Sequence, residues 1–173
     1  MKKLILFILL LQLANSCRKE EPLYDELGRG KGYALFNGEP WNVGTFPIDY
    51  NVNDNSVTVK LFEDDKDGIP RKVLGFVHMP LLVDSFPISK FIDYSGFFAE
   101  YHTNIADGDV TGDQYYSPDP GPDSYIIIDS YDEETGELWA RFNCVVIGTP
   151  RYDLTLPDTL RFEDGWFRVK ILK

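Results

Sequence analysis

LWARFNCVVI, residues 138 to 147, has an apolar side chain at every second position from Leu138 to Val146. Successive side chains of a strand point to opposite faces, whereas a helix repeats about every 3.6 residues. One face of a strand here carries only apolar side chains: Leu138, Ala140, Phe142, Cys144 and Val146. The other face carries Trp139, Arg141 and Asn143. The stretch therefore predicts a half-buried strand, and it places Cys144 in the core as an inert residue.

Short runs of β-branched and aromatic residues recur on both sides of this stretch, separated by Gly, Pro, Asn and Asp. No stretch of ten or more residues has helical apolar spacing after the first 31 residues. The clearest other runs are Gly32–Phe36, Ser56–Phe62, Lys72–Met79, Phe97–Thr103, Tyr125–Tyr131, Thr159–Glu163 and Trp166–Leu172. We predict an all-β fold, an antiparallel β-sandwich of about eight to ten strands, with a closed up-and-down barrel as the alternative.

Turn signals between the runs favour antiparallel pairing. Asn37-Gly38 suits a type I′ hairpin turn, because both central residues of that turn need positive φ. Asp164-Gly165 predicts a second hairpin between the last two runs, and Asp132–Gly136 predicts a longer loop before Leu138. Such short connections cannot join parallel strands.

The first residues of the chain have the composition of an export signal. Met1-Lys2-Lys3 precedes an apolar run from Leu4 to Leu13, and Ala14-Asn15-Ser16 follows it. The run has about half of the roughly 20 residues that a membrane-spanning helix needs. We therefore predict a cleaved signal peptide over residues 1–16.

Cys17 follows the small residues directly, and the segment resembles a bacterial lipobox, whose Cys is diacylated before cleavage. The segment departs from the lipobox at Ala14, where Leu is usual, so ordinary secretion is the alternative. Two or more acyl chains would anchor the protein stably in a membrane. The charged, Gly- and Pro-containing residues that follow predict a flexible tether over 17–31 and a single β-domain over 32–173.

Lys19-Glu20-Glu21 resembles the signal that sends Bacteroidota lipoproteins to the outer face of the outer membrane. The predicted location is therefore the outer membrane, lipid-anchored and either surface-exposed or periplasm-facing. The formal net charge of −11 argues against nucleic acid as a partner, because phosphate binding needs clustered Lys and Arg. With Cys17 lipidated, Cys144 is the one remaining thiol, so no intrachain disulfide can form.

The opening of the predicted domain, GKGYALFNGEPW from Gly30 to Trp41, resembles the start of an uncharacterised Bacteroidota lipoprotein family. That family begins with a strand, an Asn-Gly turn and a Trp, and DTLRFEDGWFRV from Asp158 to Val169 is similar to its close. The resemblance covers the two ends and not the middle. This chain departs from the family at residues 139–142, where the family usually has glycines. It implies export and a small all-β domain without an assigned activity, so it implies no catalytic residues.

The segment from Asn104 to Asp123 lacks a strand pattern, and we predict a long loop there, which is often functional. Within it, Asp107, Asp109 and Asp113 alternate as oxygen ligands do in the first half of a calcium loop. Pro118 occupies the position where an EF-hand needs a bidentate Glu, so the prediction is at most a looser calcium site. An ordinary acidic turn is the alternative.

Aromatic residues offer a second kind of site, an exposed platform for a carbohydrate or a protein. The candidates are Tyr115, Tyr116, Tyr101, Trp139 and Trp166, although core packing explains most of them equally well. The two histidines, His78 and His102, do not have the spacing of a zinc site, and no nucleophile signature is present.

These patterns leave three functional hypotheses. The first is a lipid-anchored, non-enzymatic binding or accessory module at the outer membrane, with an unknown protein or carbohydrate ligand. The second is a glycan- or peptide-directed hydrolase whose acids lie in the 104–123 loop. The third is a calcium-stabilised structural domain, in which calcium is the one cofactor.

Overall fold

The computed structural model describes residues 24–93, 96–105, 108, 110–118, 123–149 and 156–172. The regular structure in these ranges consists of strands: β1 Gly30–Phe36, β2 Glu39–Asn51, β3 Ser56–Asp64, β4 Pro70–Pro80, β5 Ser85–Pro87, β6 Phe98–Ile105, β7 Val110–Tyr116, β8 Tyr125–Tyr131, β9 Glu137–Gly148 and β10 Thr159–Lys170. Nowhere in these ranges is there a helix with the length and apolar character needed to cross a membrane.

The ten strands form one antiparallel sheet in the order β10-β1-β2-β3-β4-β6-β7-β9-β8-β5. β9 also pairs with β10, from Glu137 opposite Lys170 to Ile147 opposite Thr159. The sheet therefore curves back so that β9 meets β10, the strand at the start of this order. The shortest strand pairing among the described residues is between β7 and β9, which share two residue pairs. The architecture confirms the predicted all-β antiparallel fold and is consistent with the β-sandwich.

The core lies between the inner faces of the strands. On β9 the inner face is the apolar set predicted from the period of two, and Cys144 is buried within it. The ring of Phe142 packs edge-on against Phe76, with 4.9 Å between the ring centroids, and also contacts Phe167. Burying one such side chain stabilises the fold by roughly 1.5–3 kcal/mol. Burial also raises the pKa of the Cys144 thiol, which keeps it protonated and inert.

Two of the predicted turns are confirmed. Asn37 and Gly38 have φ values of 51° and 84° and join β1 to β2, as the type I′ prediction requires. The segment from Asp132 to Gly136 joins β8 to β9, and the Asp132 carboxylate accepts hydrogen bonds from the backbone N–H groups of Glu134 and Thr135.

The hairpin predicted at Asp164-Gly165 is wrong, because the two residues form a β-bulge inside the continuous strand β10. The register between β10 and β9 shifts between Phe162 and Gly165, and Asp164 has a φ of 49°. A bulge and a hairpin turn both need a residue with positive φ, so the dipeptide alone does not distinguish them. Pairing with β9 on both sides of the bulge decides the outcome.

The long loop predicted from Asn104 to Asp123 is also wrong over much of its length, because it contains β7. Strand β6 continues to Ile105, and β7 pairs with it from Val110 opposite Ile105 to Tyr116 opposite Glu100. Asp113 and Tyr115 point inward from β7, which gives the segment a buried face despite its polar composition.

The predicted tether is shorter than expected at its end near the domain. The carboxylate of Asp25 accepts hydrogen bonds from the N–H groups of Leu27 and Arg29, which makes a turn, and β1 begins at Gly30. The Gly28 carbonyl accepts a hydrogen bond from the Lys170 N–H. The hydrogen bond from β10 therefore helps to hold in place residues whose composition alone favoured a flexible segment.

Candidate functional site

The structure describes only part of the predicted calcium site. Asp107, Asp109 and the lipidation residue Cys17 lie outside the described residues. Asp113 lies on the inner face of β7 with 5% of its surface exposed, and its N–H donates to Thr103 Oγ1. No group of three His, Cys, Asp or Glu that could hold a metal ion occurs in the described part of the chain. The calcium site stays a prediction from the sequence.

The two tyrosines predicted as a binding platform do not form one. Tyr115 is fully buried, and its hydroxyl donates to the carbonyl of Leu156 at 3.3 Å. Burial, together with the carboxylate of Asp113, raises the pKa of Tyr115 to about 12. Tyr116 is half-buried and stacks on Phe91, with 4.2 Å between the ring centroids. Tyr101 is buried as well, so Tyr101 and Tyr115 pack the interior.

The other two candidates, Trp139 and Trp166, lie at the surface. Their side chains project from the outer faces of β9 and β10, with 38% and 37% of the residue surface exposed. Trp139 lies opposite Arg168 in the ladder, and Trp166 lies opposite Arg141. The guanidinium of Arg168 lies over the Trp139 ring, 5.0 Å from its centroid, in a cation–π contact.

The two rings border two shallow depressions, which we call together the tryptophan face. One has a volume of about 260 Å³ and is lined by Lys31, Trp139, Trp166 and Arg168. The other has about 200 Å³ and is lined by Tyr125, Ile127, Arg141, Phe142, Asn143, Asp164, Gly165 and Trp166. Trp166 belongs to both, so the depressions adjoin each other across the outer faces of β1, β10, β9 and β8.

Polar contacts hold the side chains of the tryptophan face in place. Arg141 donates two hydrogen bonds to the carboxylate of Asp129, at 2.8 and 2.7 Å, in a bidentate ion pair. The Asn143 side chain donates to the Tyr125 hydroxyl and accepts from the N–H of Asp164, which anchors the bulge. Aromatic and hydrogen-bonding groups are therefore presented on a scaffold that needs little reordering to bind a ligand.

A third depression lies on the outer faces of β2, β3, β4 and β6, and its volume is about 330 Å³. We call it the phenylalanine pocket. It is lined by Arg29, Phe46, Lys60, Phe62, Asp64, Gly68, Pro70, Val73, His102 and Asn104. Burial, with a smaller effect from the Lys60 ammonium, lowers the pKa of His102 to about 4. Burial raises the pKa of Glu100, two residues away on the same face, while Lys60 opposes that rise.

His102 makes the stability of the domain depend on pH. In the unfolded chain its imidazole takes up a proton near pH 6.5, and in the folded chain only near pH 4. Between these values the unfolded chain binds more protons, so the contribution of His102 falls as the pH falls. We expect the free energy of unfolding of wild type, relative to His102→Gln, to drop by up to about 1.4 kcal/mol per pH unit in this window.

Urea unfolding of both proteins from pH 7 to pH 4 measures this difference. Glu100 contributes to the pH dependence with the opposite sign, because its raised pKa favours the folded state at lower pH. Since Glu100 is present in both proteins, its contribution cancels to first order in the difference between them. A pH-independent difference between the two proteins would contradict the assignment.

Comparison with protein-family models, with curated proteins and with solved structures finds no match to this chain. Sequence reasoning named Trp139 and Trp166 among five candidates but missed Arg168, Arg141 and Lys31 beside them. The signal for the two arginines was available, because they share the period of two with the tryptophans.

Proposed function

We propose that this protein is an exported, lipid-anchored binding module that holds a glycan on its tryptophan face and performs no catalysis. The observation that carries the proposal is the pair of exposed rings, Trp139 and Trp166, on adjoining strands beside a 260 Å³ depression. Large aromatic side chains are usually buried, and exposed ones grouped in a depression are typical of binding surfaces.

A glycan fits the chemistry of this face. The C–H groups on one side of a pyranose ring form an apolar patch, which stacks on an indole ring, while the hydroxyl groups around its edge need hydrogen-bond partners. The tryptophan face supplies both kinds of group: Trp139 and Trp166 for stacking, and Arg141, Asn143 and Asp164 for hydrogen bonds. A shallow, open depression also suits a segment of a longer polysaccharide.

The preference for binding over hydrolysis rests on the carboxylates. A glycoside hydrolase uses two carboxyl groups on either side of the scissile bond, within about 5–9.5 Å of each other. Of the five acids in the 104–123 segment, the structure describes Asp113, which is buried on the inner face of β7, and Asp123, which is exposed. Among the described residues, Asp164 is the carboxylate that lines the tryptophan face, and the carboxylate of Asp129 beside it is engaged in the ion pair with Arg141.

The proposed anchor is Cys17, and it would place the domain close to a membrane. The folded turn begins at Asp25, so about eight residues separate it from Cys17, and they reach roughly 28 Å at full extension. We propose the outer membrane of a Bacteroidota-type cell as the location. There, a glycan-binding face held near the surface would retain polysaccharide at the cell.

The anchor is tested with the protein expressed in a host of that type. The expected intact mass of wild type is that of the chain from Cys17 onward plus acyl chains, and the protein partitions into detergent. The Cys17→Ala variant is expected to lose both the added mass and the partitioning. Wild type that stays soluble and unmodified would exclude the anchor and leave an ordinary secreted domain.

The glycan proposal is tested by applying the labelled full-length protein to an array of bacterial and host oligosaccharides. We expect saturable binding to a limited set of structures that share one sugar or linkage. Failure to bind any glycan above the level of an unrelated acidic protein would favour a protein ligand for the tryptophan face.

A further inference from the structure

The phenylalanine pocket lies on different strands from the tryptophan face and has its own chemistry. Its central row comes from the register of three strands: Phe62 lies opposite Val73, and Val73 lies opposite His102. In the neighbouring row, Phe46 lies opposite Lys60. Side chains from four adjacent strands, β2, β3, β4 and β6, therefore converge on one depression.

The base and one wall of the pocket are apolar. Phe62 covers Gly44, whose missing side chain leaves room for the ring: a Cβ at Gly44 would lie 2.8 Å from Phe62 Cζ. Phe46 stands beside Phe62 and carries the guanidinium of Arg29 over its ring, 5.4 Å from the centroid. The volume of about 330 Å³ lies at the lower end of the range for small-molecule sites.

The polar groups of the pocket are positively charged or neutral donors that lack close partners. Lys60 is half-buried, and neither its ammonium nor the imidazole of His102 forms a hydrogen bond or ion pair with any residue in the ranges that the structure covers. Arg29 has one loose ion pair, 3.8 Å from Asp25. Lys60 therefore presents a cation, and neutral His102 a hydrogen-bond donor, to the same depression, which suits an anionic group of a ligand.

The described lining of the pocket carries more positive than negative side chains. Asp64 is the one carboxylate among these lining residues, and it is exposed at the end of β3. Lys60 and Arg29 outnumber it, while the carboxylates that interact with them, Glu100 and Asp25, do not line the pocket. Neutral His102 retains an N–H that can donate a hydrogen bond to an anion.

We propose that the phenylalanine pocket binds a small organic carboxylate, with its apolar body against Phe46 and Phe62 and its carboxylate between Lys60, Arg29 and His102. This is a second binding site, separate from the tryptophan face and independent of the glycan proposal. The ligand class follows from one anionic group, an apolar body and a volume that admits about one ring.

Benzoate is a suitable probe, and the two histidines of the chain are its reporters. Titration of the full-length protein at pH 7, followed through the imidazole Cε1–H NMR signals, is expected to shift the His102 signal saturably, with a Kd of about 1 mM. The His78 signal, from a residue that does not line the pocket, should stay in place. Benzamide, which has the same shape without the charge, is expected to bind at least about tenfold more weakly.

Three variants that each remove one positive charge complete the test. Lys60→Met is expected to weaken benzoate binding by at least about tenfold, whereas Lys66→Met, at an exposed position of the adjacent hairpin, should leave it unchanged. The His78 signal shows that each variant is folded, and Arg29→Gln gives a second test from outside the sheet. The proposal is wrong if benzoate fails to move the His102 signal, or if Lys60→Met binds benzoate as wild type does.

Discussion

Replacing Gly165 with Ala is expected to destabilise the domain by about 3 kcal/mol, which corresponds to a fall in Tm of about 6–12 °C for a domain of this size. The physical reason is the ring of Phe142, which lies directly against Gly165 from the neighbouring strand. A Cβ at Gly165 would lie 2.4 Å from Phe142 Cζ and 2.6 Å from both Cε atoms. Such contacts do not occur in folded proteins, so the ring or the bulge must shift.

The ring cannot move without cost, because Phe142 is buried and packed against Phe76 and Phe167. Urea unfolding of wild type and Gly165→Ala measures the loss. Gly96→Ala is the matched control, since a Cβ at Gly96 meets nothing within 4 Å, and it should change stability by no more than about 0.5 kcal/mol.

A double variant separates this clash from a general effect on the strand. Phe142→Leu shortens the side chain that the new methyl group meets, so Gly165→Ala should cost less in its presence, and the two losses should not add. Additive losses, or a Gly165→Ala protein as stable as wild type, would show that β10 does not pack on β9 as described.

Removing both exposed indole rings, as Trp139→Ala with Trp166→Ala, is expected to weaken glycan binding by at least about 100-fold. Tryptophans at the centre of a binding surface commonly contribute 2 kcal/mol or more each, and about 1.4 kcal/mol is a tenfold change in Kd. Each ring projects from the outer face, so its loss should change the free energy of unfolding far less than the loss of a core side chain.

The controls distinguish stacking from simple exposure. Leu82→Ala removes an exposed apolar side chain elsewhere, 60% exposed, and should leave the Kd unchanged. Trp139→Phe keeps a ring that can stack and lie under Arg168, so it should retain more affinity than Trp139→Ala. Isothermal titration with the strongest-binding array oligosaccharide gives these values. An unchanged Kd in the double variant would place the glycan elsewhere.

The sequence predicted those parts of the fold in which a local pattern has one physical meaning. The period of two from Leu138 to Ile147 determines which side chains of β9 are buried, because a strand has only two faces. Asn37-Gly38 predicted its hairpin for a similar reason, since both residues tolerate positive φ.

The incorrect predictions come from sequence patterns that can form more than one structure, so that distant residues decide between them. Asp164-Gly165 fits a turn or a bulge equally well, and the choice is made by β9, which lies earlier in the chain. The polar segment around Asp113 becomes a strand because β6 offers its edge. Tyr115, for which the sequence left both an exposed platform and core packing open, is buried as a consequence.

The candidate sites, too, could be predicted from the sequence only where a local pattern determines them. The outward direction of Trp139 follows from the sequence, but its position opposite Arg168 depends on the register beyond the bulge. The phenylalanine pocket could not have been predicted, because Phe46, Lys60 and His102 come from three strands with no shared motif.

The binding role of the tryptophan face is tested most directly through the indole N–H NMR signals of the three tryptophans. The full-length protein would be titrated with the oligosaccharide that binds best on the array. The signals of Trp139 and Trp166 should shift together and saturably. Trp41, which is buried and donates to Glu63 Oε2 at 2.7 Å, should keep its signal unchanged. Saturable binding that leaves the Trp139 and Trp166 signals in place would contradict the assignment of this face as the binding site.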